Sequence, residues 1–306
     1  MLATVPHEQL RADIGEVDGV EVVVWDATGI PDRAEEIEVV VLPYATGAED
    51  LSALGRLPRL RLVQLQSAGY DGVLERLPEP IALANATGVH DDATAELALG
   101  LVITSLRGID DAVRQHGQWV PMPGRRSLAD SRVLVLGYGS IGRALTARLL
   151  ACQAQVTAVA SRPRADDLLA GVHGPEDLPT LLPDQDVVVV VLPLTEQTRH
   201  LVDDAFLARL PEGALVVNVG RGPLLDTDAV LAHAGRLRFA LDVTEPEPLP
   251  SGHPLWTALG VLITPHIAGG TTAMAPRMAA LARAQLRALV AGEPPRNLVR
   301  ADPGPR

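Results

Sequence analysis

The sequence predicts an α/β protein built on doubly wound parallel sheets, and three features carry that reading. Short apolar runs without charge, such as Val133–Leu136 and Val187–Leu192, suit strands buried on both faces. Such runs alternate with stretches of helical periodicity, as parallel strands joined by crossover helices require. Between one run and the helix after it stand Gly137, Gly139 and Gly142, in G-x-G-x-x-G spacing.

Up to about residue 90 the strand-like runs are Val20–Trp25, Val39–Leu42, Leu60–Gln66 and Ile81–Ala84, punctuated by Pro31, Gly47, Gly55, Pro58, Pro78 and Pro80. The loop after Leu60–Gln66 reads QSAGYD, and its small residues leave the backbone N–H groups of Ala68 and Gly69 available to a carboxylate. Pro43, Tyr44 and Ala45 hold the equivalent place after the preceding strand, where Tyr44 can line the same site. Asp91–Arg107 is a long amphipathic helix with acidic residues in its first turn. His116–Arg126 reads as a loop whose Trp119 either anchors a dimer contact or packs within the chain. After the glycines, strands are expected at Gln155–Val159, Val187–Leu192, Ala214–Val219, Arg238–Val243 and Val261–Thr264, before a last helix from about residue 271.

The glycine stretch, VLVLGYGSIG, has the chemistry of a dinucleotide-binding turn. Gly137 permits the tight turn off the strand, Gly139 lets a pyrophosphate approach the backbone, and Gly142 lets the helix pack closely. Tyr138, Ser140 and Ile141 complete the turn, and the helix N-terminus offers N–H groups to the phosphates. An NAD-specific unit places an acid roughly 20 residues beyond, on the ribose 2′-hydroxyl. Here Ser161, Arg162 and Arg164 stand in that region, and no acid appears before Asp166. Guanidinium groups bind a 2′-phosphate that a carboxylate would repel, so NADP(H) is the expected cofactor, with NAD(H) as the alternative.

Composition narrows the function further. A chain of 306 residues with 47% hydrophobic and 21% charged residues has the makings of two globular domains. A net charge of −12 argues against nucleic acid or an anionic membrane as partner. The basic residues are all arginine, which removes lysine Schiff-base chemistry and leaves arginine and backbone N–H groups to hold an anionic substrate. The single cysteine, Cys152, fits a reducing cytoplasm and reads as a small core filler. No signal peptide is evident, the longest apolar run is too short to span a bilayer, and the histidines show no metal-ligand spacing.

Three polar residues follow three consecutive strands: Arg221 after Ala214–Val219, Glu245 or Glu247 after Arg238–Val243, and His266 after Val261–Thr264. Side chains at successive strand ends meet at the mouth of a parallel sheet. The blocks VLVLGYGSIG, VVVVVLPLTEQTRHL, LVVNVGRGPLLD, FALDVTEPEPLPSGHPLW and LITPHIAG resemble, in order and spacing, the D-isomer-specific 2-hydroxyacid dehydrogenase family. The likeness runs from the QSAGYD loop to the helix after His266.

That resemblance implies two Rossmann-like domains with doubly wound parallel sheets, the coenzyme domain (residues 92–269) being inserted into a discontinuous substrate domain (1–91 and 270–306), with the active site in the cleft between them. It implies that Arg221 binds and polarises the substrate, that His266 is the proton donor or acceptor, and that a carboxylate five residues beyond Asp242 pairs with His266. That count gives Glu247, with Glu245 as the less favoured choice. It also implies substrate contacts from Ala68, Gly69 and Tyr44, and cofactor contacts from Leu192, Pro193, Thr195, Thr198, Asn218, Val219, Gly220, Asp242 and Gly269, with Asp242 facing a nicotinamide carboxamide. The reaction implied is reduction of a small 2-oxo acid of the glyoxylate or hydroxypyruvate kind by NAD(P)H, in a homodimer. Rival readings are a related dehydrogenase acting on phosphite or phosphoglycerate, and a dinucleotide-sensing regulator on the same scaffold. Tyr70 and Thr244 depart from the residues common at their positions in the family, and glutamate rather than glutamine at 247 disfavours formate as substrate.

Overall fold

The structure is a computed structural model that describes residues 1–44 and 51–300; Ala45 and Gly47 lie outside the described residues. In chain order the elements are β1 (Leu2–Val5), α1 (Glu8–Ile14), β2 (Glu21–Val24), β3 (Ile37–Val41), β4 (Leu62–Gln64), β5 (Ala82–Ala84), α2 (Asp91–Arg107), α3 (Ile109–Val113), β6 (Arg132–Leu136) and α4 (Ser140–Ala151). They continue with β7 (Gln155–Val159), α5 (Leu178–Leu181), β8 (Val187–Val190), α6 (Asp204–Ala208), β9 (Leu215–Asn218), α7 (Thr227–His233), β10 (Arg238–Leu241), β11 (Val261–Ile263), α8 (Met274–Val290) and β12 (Leu298–Arg300). The chain divides into two compact units, one of Met1–His90 with Gly270–Arg306 and one of Asp91–Gly269.

In the Asp91–Gly269 unit, all six strands are parallel, in the order β11-β10-β9-β8-β6-β7. Period-2 alternation sends Val133, Val135, Val187 and Val189 into one core, with α2 and α4 residues Ala98, Leu101, Leu145 and Leu149. Leu134, Leu136, Val188 and Val190 enter the opposite core, with Leu178, Phe206, Leu207 and Val230 from α5, α6 and α7. Strands covered on both faces have no place for polar residues, which is why they read as continuous apolar runs. Beyond β7, Val159 makes a parallel bridge to His173, with Ala160 N–H donating to the His173 carbonyl at 3.0 Å. This bridge stands where a dinucleotide-binding sheet of order 3-2-1-4-5-6 carries its third strand, here shortened to one pairing.

The other unit has the order β12-β5-β4-β3-β1-β2, parallel except for β12, which runs antiparallel to β5. Helices α1 and α8 cover one face, where Leu10, Ile14, Met278 and Leu286 meet Ala3, Val39 and Leu62. The opposite face is closed by loop residues such as Leu51, Leu57, Val73 and Leu77 rather than by α-helices. Arg283 of α8 donates to the carbonyls of Asp13 and Ile14, both at 2.6 Å, and so satisfies the open end of α1. Strands β1 and β12 are absent from the expectations above: each has four residues or fewer and lies near an end of the chain. Trp119 is 97% exposed, so of its two expected roles the packing one is excluded. Cys152 caps the C-terminus of α4 and packs against the first core while partly exposed.

Candidate active site

The glycine turn leaves β6 as expected, and each glycine answers a different steric demand. Gly137 has φ +109°, and a Cβ there would stand 2.6 Å from the Val191 carbonyl oxygen. A Cβ on Gly142 would collide with the Gly137 carbonyl oxygen, so the close seating of α4 on the turn depends on its absence. At Gly139 nothing lies within 4 Å of the Cβ position, leaving the backbone open to a ligand. Gly139 is also the N-cap of α4 and supplies no side-chain bond, so the first N–H groups of a 12-residue helix face outward uncapped. An open glycine beside an uncapped helix start fits the pyrophosphate of a dinucleotide.

At the end of β7, Ser161, Arg162 and Arg164 are all exposed. Asp166, the first acid beyond them, accepts a hydrogen bond from the Tyr138 hydroxyl at 2.8 Å. After β8, Leu192 is half-buried and Pro193 exposed, and Thr198 ties that turn by donating to the Pro193 carbonyl at 2.7 Å. Thr195 N–H donates to the Thr198 hydroxyl at 2.8 Å. Val219 is buried, and at Gly220 a Cβ would stand 2.9 Å from the Leu192 carbonyl oxygen, so the two loops are held in contact.

Asn218 is fully buried, and its amide is taken up by the loop that follows β9. Its Oδ1 accepts from Gly220 N–H at 3.0 Å and its Nδ2 donates to the Arg221 carbonyl at 2.8 Å. It shapes the loop that presents Arg221. An asparagine two residues before a glycine is the one sequence signal of this turn.

Glu247 and His266 meet. The Nδ1 of His266 lies 2.5 Å from Oε1 of Glu247, which settles the ambiguity of the EPEP run. Glu245 instead accepts from Arg199 at 2.5 Å and His200 Nε2 at 2.8 Å. The hydrogen bond to Glu247 raises the His266 pKa above the ordinary imidazole value, against partial burial and the nearby Arg221 charge, which lower it. The same bond lowers Glu247, against burial and with help from Arg221. Both groups therefore feel the Arg221 guanidinium, and the three strand-end residues share one electrostatic site. Arg221 itself is half-buried, with one guanidinium nitrogen donating to the Gly220 carbonyl at 2.7 Å.

His266 has φ +51°, a left-handed conformation uncommon for a side chain of this kind. Asp242 holds it there. This aspartate is 1% exposed, and its Oδ1 accepts from the Thr264 hydroxyl at 2.6 Å and from Ile267 N–H at 3.0 Å. Its Oδ2 accepts from Ala268 N–H at 3.1 Å, and its carbonyl accepts from His266 N–H at 2.8 Å. This bracing role was not legible in the sequence. Gly269 follows directly, half-buried, at the end of the unit.

The remaining expected residues lie in the other unit. Ser67 donates to the Gly69 carbonyl at 2.6 Å and Asn85 to the Ala68 carbonyl at 2.8 Å. Among the described residues no acceptor is found for the N–H groups of Ala68 or Gly69. Tyr44 stacks on His90, with ring centroids 5.5 Å apart and planes at 26°. Among the described residues no cluster of histidine, cysteine or acidic side chains could hold a metal ion, and no helix is long and apolar enough to cross a membrane.

Comparison with known proteins points to one family. Residues 99–268 match the family profile described as D-isomer specific 2-hydroxyacid dehydrogenase, NAD binding domain. A glyoxylate reductase of Thermofilum pendens is 32% identical over 300 residues, covering 91% of this chain and 88% of the relative. The human glyoxylate reductase/hydroxypyruvate reductase is 30% identical over 305 residues, covering 93% and 92%. Among solved structures, a D-isomer specific 2-hydroxyacid dehydrogenase from Xanthobacter autotrophicus Py2, crystallised with NADPH and MES, matches with a TM-score of 0.85 and 30% identity over 97% of each chain.

Proposed function

This chain belongs to the D-isomer-specific 2-hydroxyacid dehydrogenase family, and we propose that it reduces a small 2-oxo acid of the glyoxylate or hydroxypyruvate kind to the D-2-hydroxy acid, with NADPH as the preferred reductant. The observation that carries the reading is the His266–Glu247 pair beside Arg221. Bound at the glycine turn, the reduced nicotinamide supplies the hydride that goes to the carbonyl carbon. Arg221 binds the 2-oxo acid through its carboxylate and carbonyl oxygen, polarising the bond that is to be reduced. His266, whose pKa is raised by the hydrogen bond to Glu247, gives its proton to the carbonyl oxygen as charge develops there. In the oxidative direction neutral His266 takes that proton back. Ala68 and Gly69 offer backbone N–H groups to the substrate carboxylate, Tyr44 bounds the substrate side chain, and Asp242 retains acceptor capacity on Oδ2 for a nicotinamide carboxamide.

Preference for NADPH rests on the arginines after β7 and on the absence of an unengaged acid there. The NADPH held by the Xanthobacter relative supports it. We further propose that the protein works as a cytoplasmic homodimer. The deciding experiment is oxidation of NADPH and NADH over a panel of 2-oxo acids. Turnover of glyoxylate or hydroxypyruvate with higher kcat/KM for NADPH is expected. Cofactor binding without turnover of any 2-oxo acid would instead establish the sensing role.

A further inference from the structure

The segment after β7 is fastened to the glycine turn at one residue, Tyr138. Tyr138, between Gly137 and Gly139, is 3% exposed. Its hydroxyl donates to Asp166 Oδ1 at 2.8 Å, its carbonyl accepts from Arg164 at 2.5 Å, and its ring lies 5.5 Å from the Arg164 guanidinium carbon. Burial first, and then the bond to Asp166, push the phenol up to about 12, so it stays a donor at working pH.

Asp166 is thereby occupied. Its side chain is 10% exposed, its Oδ1 also accepts from Leu168 N–H at 2.9 Å, and its Oδ2 faces Arg143 Nε at 3.8 Å. Burial raises its carboxyl, but the bonds from Leu168 and Tyr138 and the Arg143 charge outweigh that, leaving an anion. It is also the first acid beyond β7, two residues after Arg164 and hydrogen-bonded to the glycine turn itself. A carboxylate released there would repel a 2′-phosphate and accept from a 2′-hydroxyl instead.

Building on the NADPH reading above, we propose that Tyr138 is a positioning residue for cofactor choice: it withholds the Asp166 carboxylate and fixes Arg164 beside the turn, so that the 2′-position meets positive charge. The chain thus carries an acid beside the turn and Arg164, and the Tyr138 hydroxyl is the tie between that acid and the glycine motif.

Equilibrium titration of the enzyme without substrate, followed by NADPH and NADH fluorescence, gives both dissociation constants for Tyr138→Phe, Asp166→Asn and the double variant. Phenylalanine keeps the ring under Arg164 and removes only the hydroxyl. Tyr138→Phe is expected to reduce the preference for NADPH by about fivefold, the scale of one partly screened charge contact. The same substitution in the Asp166→Asn background is expected to change nothing, because the carboxylate is gone. An unchanged ratio in Tyr138→Phe, or an equal drop in both backgrounds, overturns the proposal. Should Tyr138→Phe lose its thermal transition, Asp166→Asn alone decides: a change in the ratio below about twofold supports a withheld carboxylate, and a larger gain for NADPH overturns it. If the unmodified enzyme binds NADH as tightly as NADPH, the cofactor reading itself falls, and this inference with it.

Discussion

At the scale of single residues, His266 joins two properties that substitution can separate. Its left-handed backbone costs a non-glycine residue about 1 kcal/mol and is braced by Asp242, whereas its ring carries the proton. Asparagine tolerates that conformation better than alanine. His266→Asn is therefore expected to melt near the unmodified protein while turnover falls about 100-fold or more, the usual contribution of a general acid. Turnover near the original rate would remove His266 from the mechanism. The partner carboxylate sets the pH range. Because Glu247 raises the His266 pKa, reduction is fully supported below that value and is lost as pH rises through it. Glu247→Gln removes the charge, so the alkaline fall of the kcat profile is expected at lower pH. Glu245→Gln, whose partners are Arg199 and His200, is expected to leave that midpoint in place.

Among the elements, the turn between β6 and α4 shows why some roles were legible and others were not. Gly137, Gly139 and Gly142 act on neighbours a few residues away, so their spacing alone carries the meaning. Gly142 and Gly139 can be told apart by experiment. Gly142→Ala forces a methyl into the Gly137 carbonyl and is expected to cost about 1–3 kcal/mol of stability, read from thermal unfolding. Gly139→Ala meets empty space, so its melting temperature is expected to hold while the Kd for NADPH rises at least about tenfold, since its methyl occupies the approach of the pyrophosphate. The strands of the second sheet were readable because burial on both faces writes an unbroken apolar run. By contrast, β12 owes its place to pairing with β5, and neither the engagement of Glu245 by Arg199 and His200 nor the burial of Asn218 follows from spacing. These depend on which loop a side chain meets across the sheet, a contact no local pattern encodes.

For the molecule as a whole, each unit carries its own sheet with a core on either face. The acidic balance of −12 with arginine as the sole basic side chain suits a protein that holds an anion by a few placed guanidinium groups rather than by a broad positive field. Self-association is the property of the whole chain most open to a direct check. Of three tryptophans, Trp25 is 8% exposed and Trp256 48%, against 97% for Trp119. A large aromatic left fully in water is enriched where a surface will be covered. Indole emission shifts to shorter wavelength as its surroundings lose water, so a homodimer of the kind proposed above that covered Trp119 would report its assembly through that emission. Serial dilution is expected to move the emission toward the red as protomers part, and Trp119→Phe to abolish the shift; a spectrum that ignores concentration while light scattering reports dissociation would leave that indole outside the contact.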